Sequence, residues 1–207
     1  MNQKNTLGLN ICFKDEDNPI ILFKEWFEEA KKFEINDANA VALGTVDIKG
    51  YPSVRMVLLK DFNEDGFVFY TNLNSDKSKA IKKNSKISMC FHWKSILRQV
   101  RILGSASQVS NKEADKYYQS REYGSKIGAW ASNQSSILDK RQDLLNSIKK
   151  YESKFSDKKN VPRPDHWSGW RLKPIEIEFW LDGENRLHER LKYIKIEKNW
   201  KKVLLSP

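Results

Sequence analysis

Cysteine is almost missing from this 207-residue chain: Cys12 and Cys90 are the only two thiols, far apart and in no CxxC pair. That excludes a disulfide framework and a cysteine-built zinc site, and it suits a reducing, cytoplasmic compartment. Histidine is nearly as scarce. His92, His166 and His188 show no metal-ligand spacing, so no metal is expected. No run approaches the ~20 apolar residues that span a bilayer, so no membrane segment is expected, and Met1–Asn5 lacks the apolar core of a secretory signal. Neither GxGxxG nor GxxxxGKS/T occurs, which disfavours Rossmann and P-loop nucleotide sites.

Acidic residues are also in short supply. Lys and Arg number 37 against 27 Asp and Glu, a net charge of +10 that raises the question of nucleic acid. The lysines, however, are spread over pairs at 31–32, 82–83, 149–150, 158–159 and 201–202, with no Arg-aromatic repeat, zinc finger or recognition-helix pattern. No nucleic-acid partner is read from them. A positive field that draws in small anions accounts for the charge equally well. Aromatics at 12%, including seven Trp, argue for a packed core despite 31% charged residues. The length suits one domain over 19–207, preceded by an extension, 1–18, expected to be mobile.

The pattern is strand-dominated. Asn18-Pro19 reads as an N-cap with Pro in the first turn, followed by an apolar stripe of Leu22, Trp26, Phe27, Ala30 and Phe33. Strands are expected at 41–46, 54–59, 67–71, 87–93 and 98–109, with a short helix near 77–83. Asn111 reads as the cap of a helix to about Tyr118. A longer helix is expected over 138–155, with Leu144, Leu145, Ile148 and Tyr151 inward, and a last strand near 203–205. Meandering strands with peripheral helices give a mostly β fold, a barrel rather than a doubly wound sheet.

Three stretches carry chemistry. In the first, Ile175, Ile177 and Phe179 alternate with Glu176, Glu178 and Trp180, the period of a half-buried strand. Asp182-Gly183 then reads as a turn. Arg186, His188 and Arg190 follow two apart, so an extended backbone projects all three from one face. Such a face fits an anion, or else a solvated basic edge strand.

The second stretch, Arg55-Met56-Val57-Leu58-Leu59-Lys60, is a strand with a cation at each end. Pleating puts Arg55 and Lys60 on opposite faces, so two anionic groups are expected rather than one. Tyr70 and Thr71 end the next strand and lead into Ser75 and Lys77 at a helix start, which suits either a phosphate or plain capping. The third stretch spaces Tyr117, Arg121 and Ser125 four apart. They share a face if one helix continues through them, and they form either a second phosphate cradle or an exposed helix end.

With these residues in view, the chain resembles the pyridoxine/pyridoxamine 5'-phosphate oxidase family from Pro19 to Pro207. The resemblance rests on RMVLLK at 55–60, FYTN at 69–72, RQV at 98–100, YYQSREYGSKIGAWASNQSS at 117–136 and IEFWLDGENRLHER at 177–190. It implies a split β-barrel homodimer with FMN at two intersubunit sites. It also implies oxidation of the phosphorylated B6 vitamers, pyridoxine and pyridoxamine 5'-phosphate, to pyridoxal 5'-phosphate, with O2 as acceptor and H2O2 released. The resemblance assigns to FMN the strand Arg55, Met56, Val57, Leu58, Leu59 and Lys60, with Tyr70, Thr71, Lys77, Gln99, Gln134, Ser135, Trp180 and Arg190. To the substrate phosphate it assigns Lys60, Tyr117, Arg121 and Ser125. Arg186 and His188 fall over the substrate ring, as the catalytic pair.

Two positions depart from the family pattern. Asp76 stands where an Arg commonly precedes the Lys, and its side chain is expected to turn outward. The N-terminal Arg-x-x-Tyr that folds over substrate in many members has no counterpart in 1–17. The residues alone also leave open a split-barrel FMN oxidoreductase acting on another small anion, and a non-catalytic flavin carrier.

Overall fold

Asn18 opens the first helix, α1 (Pro19–Phe33), by accepting the Ile20 amide at 2.9 Å, while Pro19 sits in the turn where an amide has no partner to lose. The computed structural model describes residues 3–207. After α1 the chain meanders through β1 (Ala40–Val46), β2 (Pro52–Leu58), β3 (Asp61–Asn63) and β4 (Gly66–Asn72). It then forms the short helix α2 (Asp76–Lys83), followed by β5 (Lys86–Trp93) and β6 (Arg98–Gln108). Three helices follow: α3 (Asn111–Gln119), α4 (Tyr123–Ala131) and α5 (Arg141–Lys154). The chain ends in β7 (Trp167–Leu181), β8 (Glu189–Ile196) and β9 (Asn199–Leu204).

All strand pairs are antiparallel, in the order β2-β1-β5-β6-β7-β4-β3. The two ends of that path are one continuous stretch, because only Leu59 and Lys60 separate β2 from β3. Their amides donate to Asn39 O and Val68 O, both at 2.8 Å, so the sheet curls back on itself through this join. The fifteen-residue β7 serves two neighbours in series: β4 along 167–172 and β8 along 176–181. Beyond that point β8 and β9 splay from the closed part, giving a split barrel.

A register shift between Leu103 and Gly104 falls where β7 changes partner. It reverses the pleat locally, so Ile175 is exposed, against the expected alternation, while Ile177 and Phe179 are fully buried.

The core is aromatic and centred on α1. Phe23 lies edge-on to Phe62 and Phe67, each at 4.9 Å, and to Phe91 at 5.2 Å. Trp26 meets Phe13 and Phe179 at 5.1 and 5.2 Å, and its indole N–H donates to Cys12 O at 2.8 Å. Phe13 and Leu9 are thus part of the core, with Leu7 and Cys12 packed against it, so residues 7–13 are docked where a mobile extension was expected. The extension's polar ties run to Glu189, which accepts from Lys4 and from the Asn10 amide.

Three other expectations shift. Phe33 ends the stripe exposed, because α1 outlasts the barrel beneath it. Ser110, not Asn111, caps α3 by accepting the Glu113 amide. Helix α5 begins at Arg141 rather than 138 and buries no residue, since it lies on α4 at the surface and leaves Leu145 exposed.

Truncating Phe23 removes the ring that five other aromatics pack on. Phe23→Ala is expected to lower unfolding free energy by about 3–5 kcal/mol, read from urea titration.

Candidate functional site

Lys77, in the first turn of α2, is 9% exposed and has only neutral oxygens around its ammonium. Nζ lies 3.2 Å from Thr71 Oγ1, 3.2 Å from Ser75 Oγ and 3.0 Å from Gln134 Oε1. Thr71 Oγ1 in turn donates to Gln134 Oε1 at 3.1 Å. Burial, and then the Arg55 guanidinium, push the Lys77 pKa below the ordinary lysine value, with Asp76 opposing.

Ser75 stands at the N-cap of α2 but makes no capping bond, because its hydroxyl donates instead to Asn72 O at 2.7 Å. The Asp76 amide donates to Ser135 Oγ at 3.3 Å. A buried cation beside a helix start without a side-chain cap is the chemistry that holds a phosphate.

Arg55 shows the same feature. It donates to Leu43 O, Thr45 Oγ1 and Ser53 Oγ at 3.1, 2.7 and 2.7 Å, with no carboxylate bound. Asp76, the expected outward residue, is indeed exposed and pairs with Lys79 at 3.6 Å.

A cavity of about 440 Å³ opens beside Lys77. The β2–β3 stretch lines it with Met56, Val57, Leu58 and Lys60, β4 with Tyr70 and Thr71, the helical region with Tyr117, Arg121, Glu122, Ser125 and Gln134, and β7 with Trp167. The Tyr70 and Tyr117 rings stack at 4.0 Å, with Trp167 5.4 Å beyond Tyr70. Burial pushes the Tyr70 phenol up to about 12, so it is a neutral hydrogen-bonding group over the working range. The Arg121 guanidinium lies 4.7 Å over Trp167, and its buried Nη1 has no partner among the described residues. A guanidinium that lines a cavity with one buried nitrogen unpartnered, and no carboxylate paired with it among the described residues, suits an anion.

Tyr117, Arg121 and Ser125 do converge, though not on one helix. Residues 120–122 break α3 from α4, and the bend rather than helical spacing brings them together. Leu59, the one strand residue that is fully turned away, is buried in the core.

The remaining expected residues form a second group at the other end of the sheet. Gln99, Trp180 and Arg190 are cross-strand partners on β6, β7 and β8, so they share one outer face. His188 packs on Trp180 with ring centroids 4.6 Å apart, and its Nδ1 lies 3.0 Å from Asp182 Oδ1.

The single extended face expected for Arg186, His188 and Arg190 is not formed. Asn185 and Arg186 take φ of 55° and 63° in a short turn, and β8 begins only at Glu189. Arg186 therefore projects from the loop, exposed, and only Arg190 lies on the strand. Arg190 is also ion-paired, with Glu178 at 2.7 Å.

Sequence reasoning missed Trp167 and Gly169. A Cβ on Gly169 would sit 2.8 Å from the Tyr70 ring, so the stack needs a glycine there. The signal available was the dense Trp-Ser-Gly-Trp at 167–170, where a small residue faces an aromatic neighbour strand.

A curled sheet with a helix-covered core and a cavity lined by cations at its open side defines the class of split β-barrels. Residues 27–155 match the family described as "Pyridoxamine 5'-phosphate oxidase", and residues 167–207 match its "Pyridoxine 5'-phosphate oxidase C-terminal dimerisation region". A curated pyridoxine/pyridoxamine 5'-phosphate oxidase from Pelagibacter ubique is 65% identical over 208 residues, covering all of both chains. The one from Allorhizobium ampelinum is 52% identical over 94% of this chain and 95% of its own. Among solved structures, PhzG from Burkholderia lata 383, in complex with tetrahydrophenazine-1-carboxylic acid, superposes with a TM-score of 0.89. It is 28% identical, over 96% of this chain and 97% of that one. The chain belongs to the pyridoxine/pyridoxamine 5'-phosphate oxidase family, and the dimerisation-region match supports a homodimer.

Gly169→Ala tests the aromatic stack. The added methyl is expected to push Tyr70 out of its stack, at a cost of about 1–3 kcal/mol. Thermal unfolding together with loss of near-UV circular dichroism reads this out.

Proposed function

We propose that this chain is an FMN-dependent oxidase converting pyridoxine or pyridoxamine 5'-phosphate to pyridoxal 5'-phosphate, with O2 as acceptor and H2O2 as co-product. The observation that carries the reading is one cavity with two separate cationic ends that lack carboxylate partners. Lys77, beside the start of α2, suits the cofactor phosphate. Arg121, with Lys60, Tyr117 and Ser125, suits the substrate phosphate. Two phosphates at two ends hold two planar ring systems against each other between them. Membership of the family supplies the identity of both.

Bound FMN would supply the redox chemistry, taking two electrons from the substrate and delivering them to O2. The protein's own part is position and charge. Arg55, Lys77, Thr71, Gln134 and Ser135 hold the cofactor phosphate, with Arg55 reaching it from the other face of β2. Met56, Val57 and Leu58 form an apolar wall. Arg186 and His188 fix the pyridine plane.

On one chain the Gln99, Trp180 and Arg190 face is a separate group from the Lys77 cavity. Strand β2, at one end of the hydrogen-bonded path, exposes Val54 at 69% and Met56 at 62%. A homodimer resolves both features if the cavity of one protomer is completed by Trp180 of the partner subunit and Arg190 of the partner subunit, with FMN between them. A cytoplasmic setting belongs to this reading. The two unpaired thiols suit it, and among the described residues no helix is long and apolar enough to cross a membrane.

The purified protein is expected to be yellow and to bleach anaerobically with pyridoxamine 5'-phosphate; a colourless protein, or a yellow one bleached only by an unphosphorylated carboxylate substrate, would overturn the assignment. Coexpressed Lys77→Met and Arg190→Ala chains, each inactive as a homodimer, are expected to regain about a quarter of wild-type activity. Half the dimers are then mixed, and each mixed dimer has one intact site of two. No recovery would place the whole site within one chain.

A pH dependence follows from Lys77. Its lowered pKa means the unliganded ammonium deprotonates earlier than an ordinary lysine, whereas a bound phosphate favours the charged form. FMN affinity is therefore expected to fall as pH rises through that lowered value, measured by flavin fluorescence on the apoprotein.

A further inference from the structure

Glu178 is a carboxylate on the outer side of the barrel, between the inward Ile177 and Phe179, yet it is only 5% exposed. Burying it requires partners for both oxygens. Oε1 accepts from Arg190 Nε at 2.9 Å and Nη2 at 2.7 Å, and Oε2 accepts from Arg101 Nη1 at 3.3 Å.

The two arginines are not equal. The Arg101 side chain is 58% exposed and makes one long contact, whereas Arg190 is 24% exposed and gives Glu178 two short ones. Arg190 Nη1 also donates to Ser206 O at 2.8 Å. Three of its five N–H groups are thereby assigned, and two remain for a ligand.

The register shows that this pairing is directed. Arg190 sits opposite Trp180, and the residue opposite Glu178 is Lys192. Arg190 nevertheless leans two residues along β7 to Glu178, while Lys192 leans on to Glu176 at 2.8 Å. The guanidinium is thus drawn off the face of its own cross-strand neighbour, and His188 packs on Trp180 instead. A freed guanidinium would find the indole beside it by cation–π attraction.

We propose that Glu178 is a positioning residue of the cofactor site: it holds Arg190 in the orientation that leaves two N–H groups for the flavin and reserves Trp180 for His188. This rests on the reading of Arg190 as a flavin ligand.

The alternative role is plain charge balance between two arginines, and the two roles differ in sign. Glu178→Gln adds one positive charge near a bound anion, so charge balance alone predicts tighter FMN. Positioning predicts weaker FMN, by roughly 5- to 30-fold. Glu178→Asp keeps the charge and shortens the reach, so it serves if the Gln variant folds poorly. Positioning predicts weaker FMN here too, and charge balance predicts no change.

Flavin fluorescence titration of the full-length apoprotein gives each dissociation constant. The double variant Glu178→Gln/Arg190→Ala is expected to bind no worse than Arg190→Ala alone. Unchanged or tighter FMN in both Glu178 variants, or an undiminished Glu178 effect in the Arg190→Ala background, would overturn the inference. An Arg190→Ala protein that binds FMN as wild type does would instead overturn the reading of Arg190 beneath it.

Discussion

Lys77, nine-tenths buried among three neutral oxygens, sets the terms for the rest of the molecule. An ammonium in that position gives up hydration and receives no carboxylate in return, which costs stability in the unliganded chain. Arg55, with only a carbonyl and two hydroxyls, and Arg121, with an orphaned Nη1, repeat the pattern at lower burial. Elsewhere the chain does supply carboxylates to its cations: Arg98 has Glu29, Arg163 has Asp115, Arg171 has Glu113 and Lys202 has two aspartates. Lys77 and Arg121 line the same cavity, and Arg55 lies on the neighbouring strand, so these uncompensated cations are grouped on one side of the molecule.

Holding them apart requires a frame that does not relax. The join at Leu59–Lys60 closes the sheet, the α1 aromatics fill it, and Tyr70, Tyr117 and Trp167 stack together. Each cation is anchored to a different part of that frame: Arg55 on β2, Lys77 on α2, Arg121 at the break between α3 and α4. Collapse onto a shared counter-ion would mean moving whole elements. Strand β7 then links this half of the chemistry to the other, since Trp167 and Gly169 at its start serve the cavity while Glu178 and Trp180 near its end serve the opposite group.

Most of the strands were legible because period-2 burial and turn residues act locally, as in β5 with its strictly alternating side chains. The residues lining the cavity were legible from motifs rather than from periodicity. The errors share one cause. Helical spacing was extended through Tyr117, Arg121 and Ser125, and strand spacing through Arg186, His188 and Arg190. In both places the backbone turns, at 120–122 and at the positive-φ pair Asn185-Arg186. At 120–122 no Gly or Pro marks the turn, and at 184–186 the Asp182-Gly183 signal does not show that the turn runs on through Arg186. The docking of Phe13 was hidden for a different reason: one Phe in a polar segment has no period, and its partner Trp26 is supplied by tertiary structure.

The same contrast explains how two departures from the family pattern coexist with an intact cavity. Asp76 introduces a negative charge one residue from Lys77, but its side chain is exposed and turned to Lys79, so solvent and a second cation weaken its field at the phosphate-binding side. Its backbone amide still faces Ser135, which is the part a phosphate site uses. The N-terminal segment lacks the family's Arg and Tyr, yet Lys4 and the Asn10 amide both end on Glu189, between His188 and Arg190. A segment tied there by one carboxylate, and by Phe13 in the core, is anchored beside His188 and Arg190. Glu178 and Asp182 are the carboxylates that lie against Arg190 and His188 on either side of that anchor, so β8 and the turn before it are fixed by acidic groups from both sides.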